Sequence, residues 1–159
     1  MDGTPMRSRE EVIVYDTLRS MGLIVLYEFP LKLPDGRIIY SDFLILHPGT
    51  RTVYVWEHLG LWYHAEKGTK YQQAFCRKTL DYAALGFGLG SNLITSYPTV
   101  DGGIDAEKIR KMCKQIFFTE ATGIGKNEGI SATQFLTEQK NLDISMAKDF
   151  DSDGWNDFL

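Results

Sequence analysis

The chain is poor in cysteine, with only Cys76 and Cys113 in 159 residues. Neither has another Cys or a His at zinc-ligand spacing, so neither a zinc site nor a disulfide framework is expected. Both fall in segments of helical pattern and read as small core residues. No apolar run approaches the roughly 18 residues that a membrane-spanning helix needs. Met1-Asp2-Gly3-Thr4-Pro5 lacks the charged and apolar regions of a signal peptide. The expectation is a cytoplasmic protein with no membrane partner. A basic excess is missing too, since the net charge is −4. Residues 1–123 balance 14 Lys and Arg against 14 Asp and Glu, while residues 124–159 hold 3 against 7 and so carry all of the surplus. Charge alone therefore neither points to nucleic acid nor repels it.

What is present is a hydrophobic share of 43% and an aromatic share of 13%, enough for one core. Ser8-Arg9-Glu10-Glu11 fits a capping box that opens a first helix, whose apolar face holds Val14, Leu18 and Met21 and which Gly22 ends. Ile24 to Leu31 reads as a strand, Leu33-Pro34-Asp35-Gly36-Arg37 as a turn, and Ile38 to Leu46 as the returning strand. Thr52 to Leu59 reads as a third strand of an antiparallel meander. From about Glu66 to Leu85 the pattern turns helical, with Tyr71, Phe75, Lys78 and Tyr82 on one face. A short strand over Asn92–Tyr97 follows, expected to join the sheet in parallel after the crossover. Asp105 then caps a helix with Ile109, Met112, Cys113, Ile116 and Phe117 on its apolar face. The order α-β-β-β-α-β-α implies a mixed-sheet α/β domain over residues 1–123. An acidic, aromatic-containing C-terminal tail over 124–159 is expected to be flexible, with a short helix allowed within Ser131–Met146.

Two carboxylates stand out. Asp42 lies inside the second strand and Glu57 near the end of the third. Charged residues suit half-buried strands poorly. Two carboxylates on neighbouring strands repel unless something positive lies between them, and a hard cation such as Mg²⁺ answers that need. It would polarise a phosphate and acidify an attacking water. The plainer alternative pairs Asp42 with Arg37 or Arg51. Glu28 is a further carboxylate candidate beside Asp42. Trp62, Tyr63 and Tyr71 are candidates for stacking on bases or lining a cleft edge, whereas Trp56 reads as core. Lys67, Lys70 and Arg77 are scattered basic candidates for phosphate contact.

Several stretches carry a resemblance: Arg7-Ser8-Arg9-Glu10-Glu11-Val12-Ile13, Tyr27-Glu28-Phe29-Pro30-Leu31, Leu33-Pro34-Asp35-Gly36-Arg37, Ser41-Asp42-Phe43 and Trp56-Glu57-His58-Leu59-Gly60. With the element order, they make residues 7–118 resemble the PD-(D/E)xK nuclease superfamily, closest to small bacterial nuclease-like domains. The resemblance implies a restriction endonuclease-like core and a metal-dependent nuclease acting on DNA with Mg²⁺ or Mn²⁺. It matches Asp42 to the motif aspartate, Glu57 to the second acidic position and Glu11 to a supporting acid on the first helix, which makes these three the metal ligands. Ser41 stands where the family often has Pro. Leu59 occupies the motif's lysine position, so the catalytic cation must come from elsewhere. Lys78 on the following helix is the first candidate. His58 is the second, and only a bulge would turn it to the face of Glu57. Arg7, Arg9, Lys78 and Tyr82 are the residues expected to contact nucleic acid. The alternative is a nuclease-fold binding module without turnover, and a homodimer is left open.

In the tail, Asp149-Phe150-Asp151-Ser152-Asp153-Gly154 matches the opening of an EF-hand loop. The loop's bidentate Glu would fall beyond Leu159, so calcium binding is not expected. Phe150, Trp155, Phe158 and Leu159 alternate with aspartates, a composition suited to docking on a protein partner.

Overall fold

The computed structural model describes residues 8–118 and 129–139. Helix α1 spans Arg9–Ser20, and Ser8 Oγ accepts the Glu11 N–H at 3.1 Å as the capping pattern requires. Strands β1 (Ile24–Lys32), β2 (Ile38–His47) and β3 (Thr52–His58) follow. Helix α2 covers Gly68–Ala84, β4 Leu93–Ser96, and α3 Ala106–Phe117 with Asp105 at its N-cap. A two-residue β5 (Ile130–Ser131) and a short α4 (Ala132–Glu138) come last. The protein is thus a mixed α/β fold.

The five-stranded sheet runs β1-β2-β3-β4, with β5 also on β3. The β1-β2-β3 meander is antiparallel and β4 pairs with β3 in parallel, as a helical crossover between them demands. Strand alternation sends Leu44, Leu46, Val53 and Val55 to one face, against Tyr82 of α2, Leu85 just after it and Phe135 of α4. It sends Phe43, Ile45, Tyr54 and Trp56 to the other, against Val14 and Leu18 of α1 and Ile109 and Cys113 of α3. Trp56 is fully buried, as expected of a core residue.

The alternation breaks once in β1. Val25 and Tyr27 pack on the α1/α3 side, but Phe29 and Leu31 pack on the α2 side. Between them Glu28 has φ +48, a left-handed backbone that costs a non-glycine residue on the order of 1–3 kcal/mol. That kink turns the outer half of the hairpin so that both halves bury apolar side chains.

Two expectations need correction. Cys76, read as a core residue, is exposed on α2. Cys113 is buried, and desolvation pushes its thiol up to about 12. The boundary expected at residue 123 also fails for Ile130–Gln139, which belong to the domain. Ile130 and Phe135 are buried in the α2-side cluster, and Ile130 pairs with Val53. The Gln139 amide receives the Lys32 N–H at 2.9 Å and donates to the Lys32 carbonyl at 3.1 Å. The helical periodicity there is weak because α4 is seven residues long and only Phe135 in it is buried. The acidic EF-hand-like stretch and Arg7 lie outside the described residues. No described helix is long and apolar enough to cross a membrane.

Gly129 sets a clear stability test. A Cβ there would lie 2.7 Å from the Tyr54 ring and 2.8 Å from Thr52 Cβ, neither a flexible chain end. Gly129→Ala is expected to destabilise the fold by about 1–3 kcal/mol, as overpacking does. Urea unfolding checks this, and an unchanged midpoint would mean that the β5 segment is not seated against β3.

Candidate functional site

The register that pairs Phe43 with Trp56 brings Asp42 opposite Glu57. By alternation both side chains share the α2 face with Leu44 and Val55. Asp42 is 6% exposed and Glu57 3%. The two carboxyls meet directly. Asp42 is held well above the ordinary carboxylate range, first by desolvation, then by the charge of Glu57 and a hydrogen bond shared with it. Lys78 opposes that shift and Glu11 adds to it.

Helix α2 supplies the compensation. Its sheet-facing row, spaced at one helical turn, is Tyr71, Phe75, Lys78 and Tyr82. Lys78 Nζ sits 2.7 Å from Glu57 Oε1 and donates to the Tyr40 carbonyl at 2.8 Å. The Tyr82 hydroxyl donates to the same Glu57 oxygen. Burial, then the charge of Glu57, pushes the Tyr82 phenol well above its ordinary value. The Lys78 ammonium also lies 5.5 Å from the centre of the Tyr82 ring. Asp42 Oδ2 accepts the backbone N–H of His58 at 2.9 Å.

Of the residues read from sequence, Asp42, Glu57 and Lys78 come together. Glu11 is buried, and it lines with Asp42, Glu10, Gly60 and Tyr71 a cavity of about 250 Å³ at the strand ends. Glu28 falls between the Tyr27–Phe43 and Phe29–Ser41 pairs, hence across from Asp42. Arg37 is not a partner of Asp42, since it pairs with Asp35 at 2.8 Å and Asp81 at 2.9 Å. Arg9 is exposed at the start of α1.

Two expected roles change. Tyr82 was expected at the nucleic-acid surface, but it is fully buried and spends its hydroxyl on Glu57. His58 was to reach Glu57's face through a bulge, yet β3 stays in register to His58–Ser96. Its ring instead lies 2.8 Å from Ser96 Oγ and 2.7 Å from Glu10 Oε1. Ser96 Oγ in turn accepts from Trp56 Nε1 at 2.8 Å. His58 therefore serves Asp42 through its main chain, and this network fixes where that N–H points. Glu10 and Ser96 went unread because their link to His58 is a long-range contact.

Two hard carboxylates with Glu11 beside them suit Mg²⁺ or Mn²⁺, because Mg²⁺ commonly uses one or two carboxylates together with substrate phosphate and water. A complete protein cage is absent: among the described residues no group of three or more His, Cys, Asp or Glu is arranged to hold a metal. No family model matches the chain, and no curated protein matches it.

The raised Asp42 sets the sign of a pH effect. A carboxyl that titrates higher when folded favours folding most below its unfolded value of 3.8, and that contribution is lost as pH rises through the folded value. Asp42→Asn keeps an acceptor for the His58 N–H and removes the titration. Its stability gain over wild type is expected to grow over the pH range above the unfolded value of 3.8. Urea midpoints read this, and a gap constant across the range would contradict a shifted Asp42.

Proposed function

We infer that the protein is a metal-dependent nuclease with a restriction endonuclease-like core, hydrolysing phosphodiester bonds of DNA. The observation that carries this reading is the convergence of Asp42, Glu57 and Lys78 on one sheet face beside an open cleft. Asp42 and Glu57, supported by Glu11, would hold the cation, which when bound would polarise the scissile phosphate and acidify water. The chain's own residues do the rest. Lys78 neutralises the carboxylate pair and is placed to stabilise charge growing on the phosphate. It restores, from the helix, the cation that Leu59 does not supply from the strand. Tyr82 pins Glu57 from beneath, and the His58 N–H orients Asp42.

A binding module without turnover is the second reading. Leu59 is buried at 2% exposure in the position where the resembling family carries lysine, and Glu57 already has an ion-pair partner. Calorimetric titration with Mn²⁺ separates the two, because the nuclease reading requires binding that Asp42→Ala removes.

With Mn²⁺ the wild type is expected to cut DNA. Asp42→Ala and Glu57→Ala should each lose at least about 10²–10³-fold in rate, and Lys78→Met about 10²-fold. Full activity in both carboxylate variants would overturn the site.

A further inference from the structure

Beside the cleft, the chain leaves aromatic rings at its surface. Leu61 lines the cavity with Asp42 and Glu11, and it is 40% exposed. The next residue, Trp62, is half-buried and meets Tyr97 at 5.4 Å between ring centres, at 73°. Tyr63 lies 6.5 Å from Tyr97. Tyr63 is 52% exposed and Tyr97 37%. In an edge-on contact one ring meets the other with its rim, so its own faces are not spent there. Tyr97 also lines a second cavity of about 290 Å³ with Thr95, Thr99, Asp105 and Lys108. Leu61 on the first cavity is thus linked to Tyr97 on the second through Trp62.

Trp62 and the turn that follows it are tied down. Trp62 N–H donates to the Leu59 carbonyl at 3.1 Å, and Gln72 Nε2 donates to the Trp62 carbonyl at 2.8 Å. Trp62 packs edge-on against Phe75 at 6.2 Å. His64 Nδ1 accepts the Lys67 N–H at 3.0 Å. Gly68 starts α2 so close that a Cβ there would lie 3.0 Å from the Trp62 carbonyl oxygen. The first turn of α2 contains no acid. Lys67 and Lys70, both exposed, follow Trp62 and Tyr63 in the chain, with Glu66 between. Exposed rings with lysines near them in the chain suit a flexible anion with flat apolar groups.

We propose that Trp62, Tyr63 and Tyr97 form a stacking platform for unpaired bases, so that the cleft is served with single-stranded nucleic acid. Lys67, Lys70 and Lys108 meet its phosphates. A stacked duplex hides its base faces and cannot use such a platform. The proposal rests on the nuclease reading for what happens in the cleft, while stacking itself needs no metal.

The test uses fluorescein-labelled oligothymidylate of about 15 nucleotides, with EDTA to prevent cleavage. Fluorescence anisotropy should show binding by the wild type and a loss of about tenfold or more in Tyr63→Ala/Tyr97→Ala. The pair Tyr63→Phe/Tyr97→Phe, which keeps the rings, should stay within about twofold. Blunt duplex of the same length should compete poorly. Unchanged affinity in the alanine pair overturns the proposal, as does duplex competing as well as oligothymidylate. So does a wild type that ignores oligothymidylate but self-associates through these tyrosines in sedimentation, which would make the patch an interface between copies. Asp42→Ala, run in parallel, keeps the two readings apart. Stacking without any metal-dependent cleavage sinks the nuclease and leaves the platform. Duplex cleavage indifferent to the alanine pair does the reverse.

Discussion

Two carboxylates buried side by side are the constraint around which the α2 half of the molecule is organised. Left alone, Asp42 and Glu57 would repel in a poorly solvated place, at a cost of several kcal/mol for an uncompensated ion. The fold answers with a proton that Asp42 keeps to unusually high pH, the Lys78 ammonium and the Tyr82 hydroxyl. Both compensating groups come from one face of α2, so the helix cannot rotate or slide without exposing the pair. A site that is expensive to maintain without gain is more readily understood as functional than as structural.

Much of this was readable along the chain, because the relevant signals are local. The Ser8–Glu11 cap needs only four consecutive residues. The α2 row of Tyr71, Phe75, Lys78 and Tyr82 declares itself by helical spacing, which correctly set Lys78 beside Tyr82. Asp42 and Glu57 were visible as charges in otherwise apolar strands.

What escaped was whatever depends on distant partners. Tyr82 looked like a surface ring because spacing gives a face but not its depth, and depth is set by β3 beneath it. His58 draws its meaning from Glu10 and Ser96, 48 and 38 residues away in sequence. The kink at Glu28 has no signature of its own, since a glutamate gives no hint of positive φ. The fold overrides that preference to turn the outer hairpin inward. The packing of Ile130–Gln139 into the domain escaped because too few of its residues are buried to leave a periodic trace.

The Gln139 side chain has a consequence beyond its two hydrogen bonds. Strand β1 is an outer strand of the sheet, and such strands invite pairing by foreign chains. By imitating a peptide unit against Lys32, the Gln139 amide closes part of that rim with a single residue. Any shortened form of the protein that stops before Gln139 therefore loses a guard against aggregation as well as a piece of core.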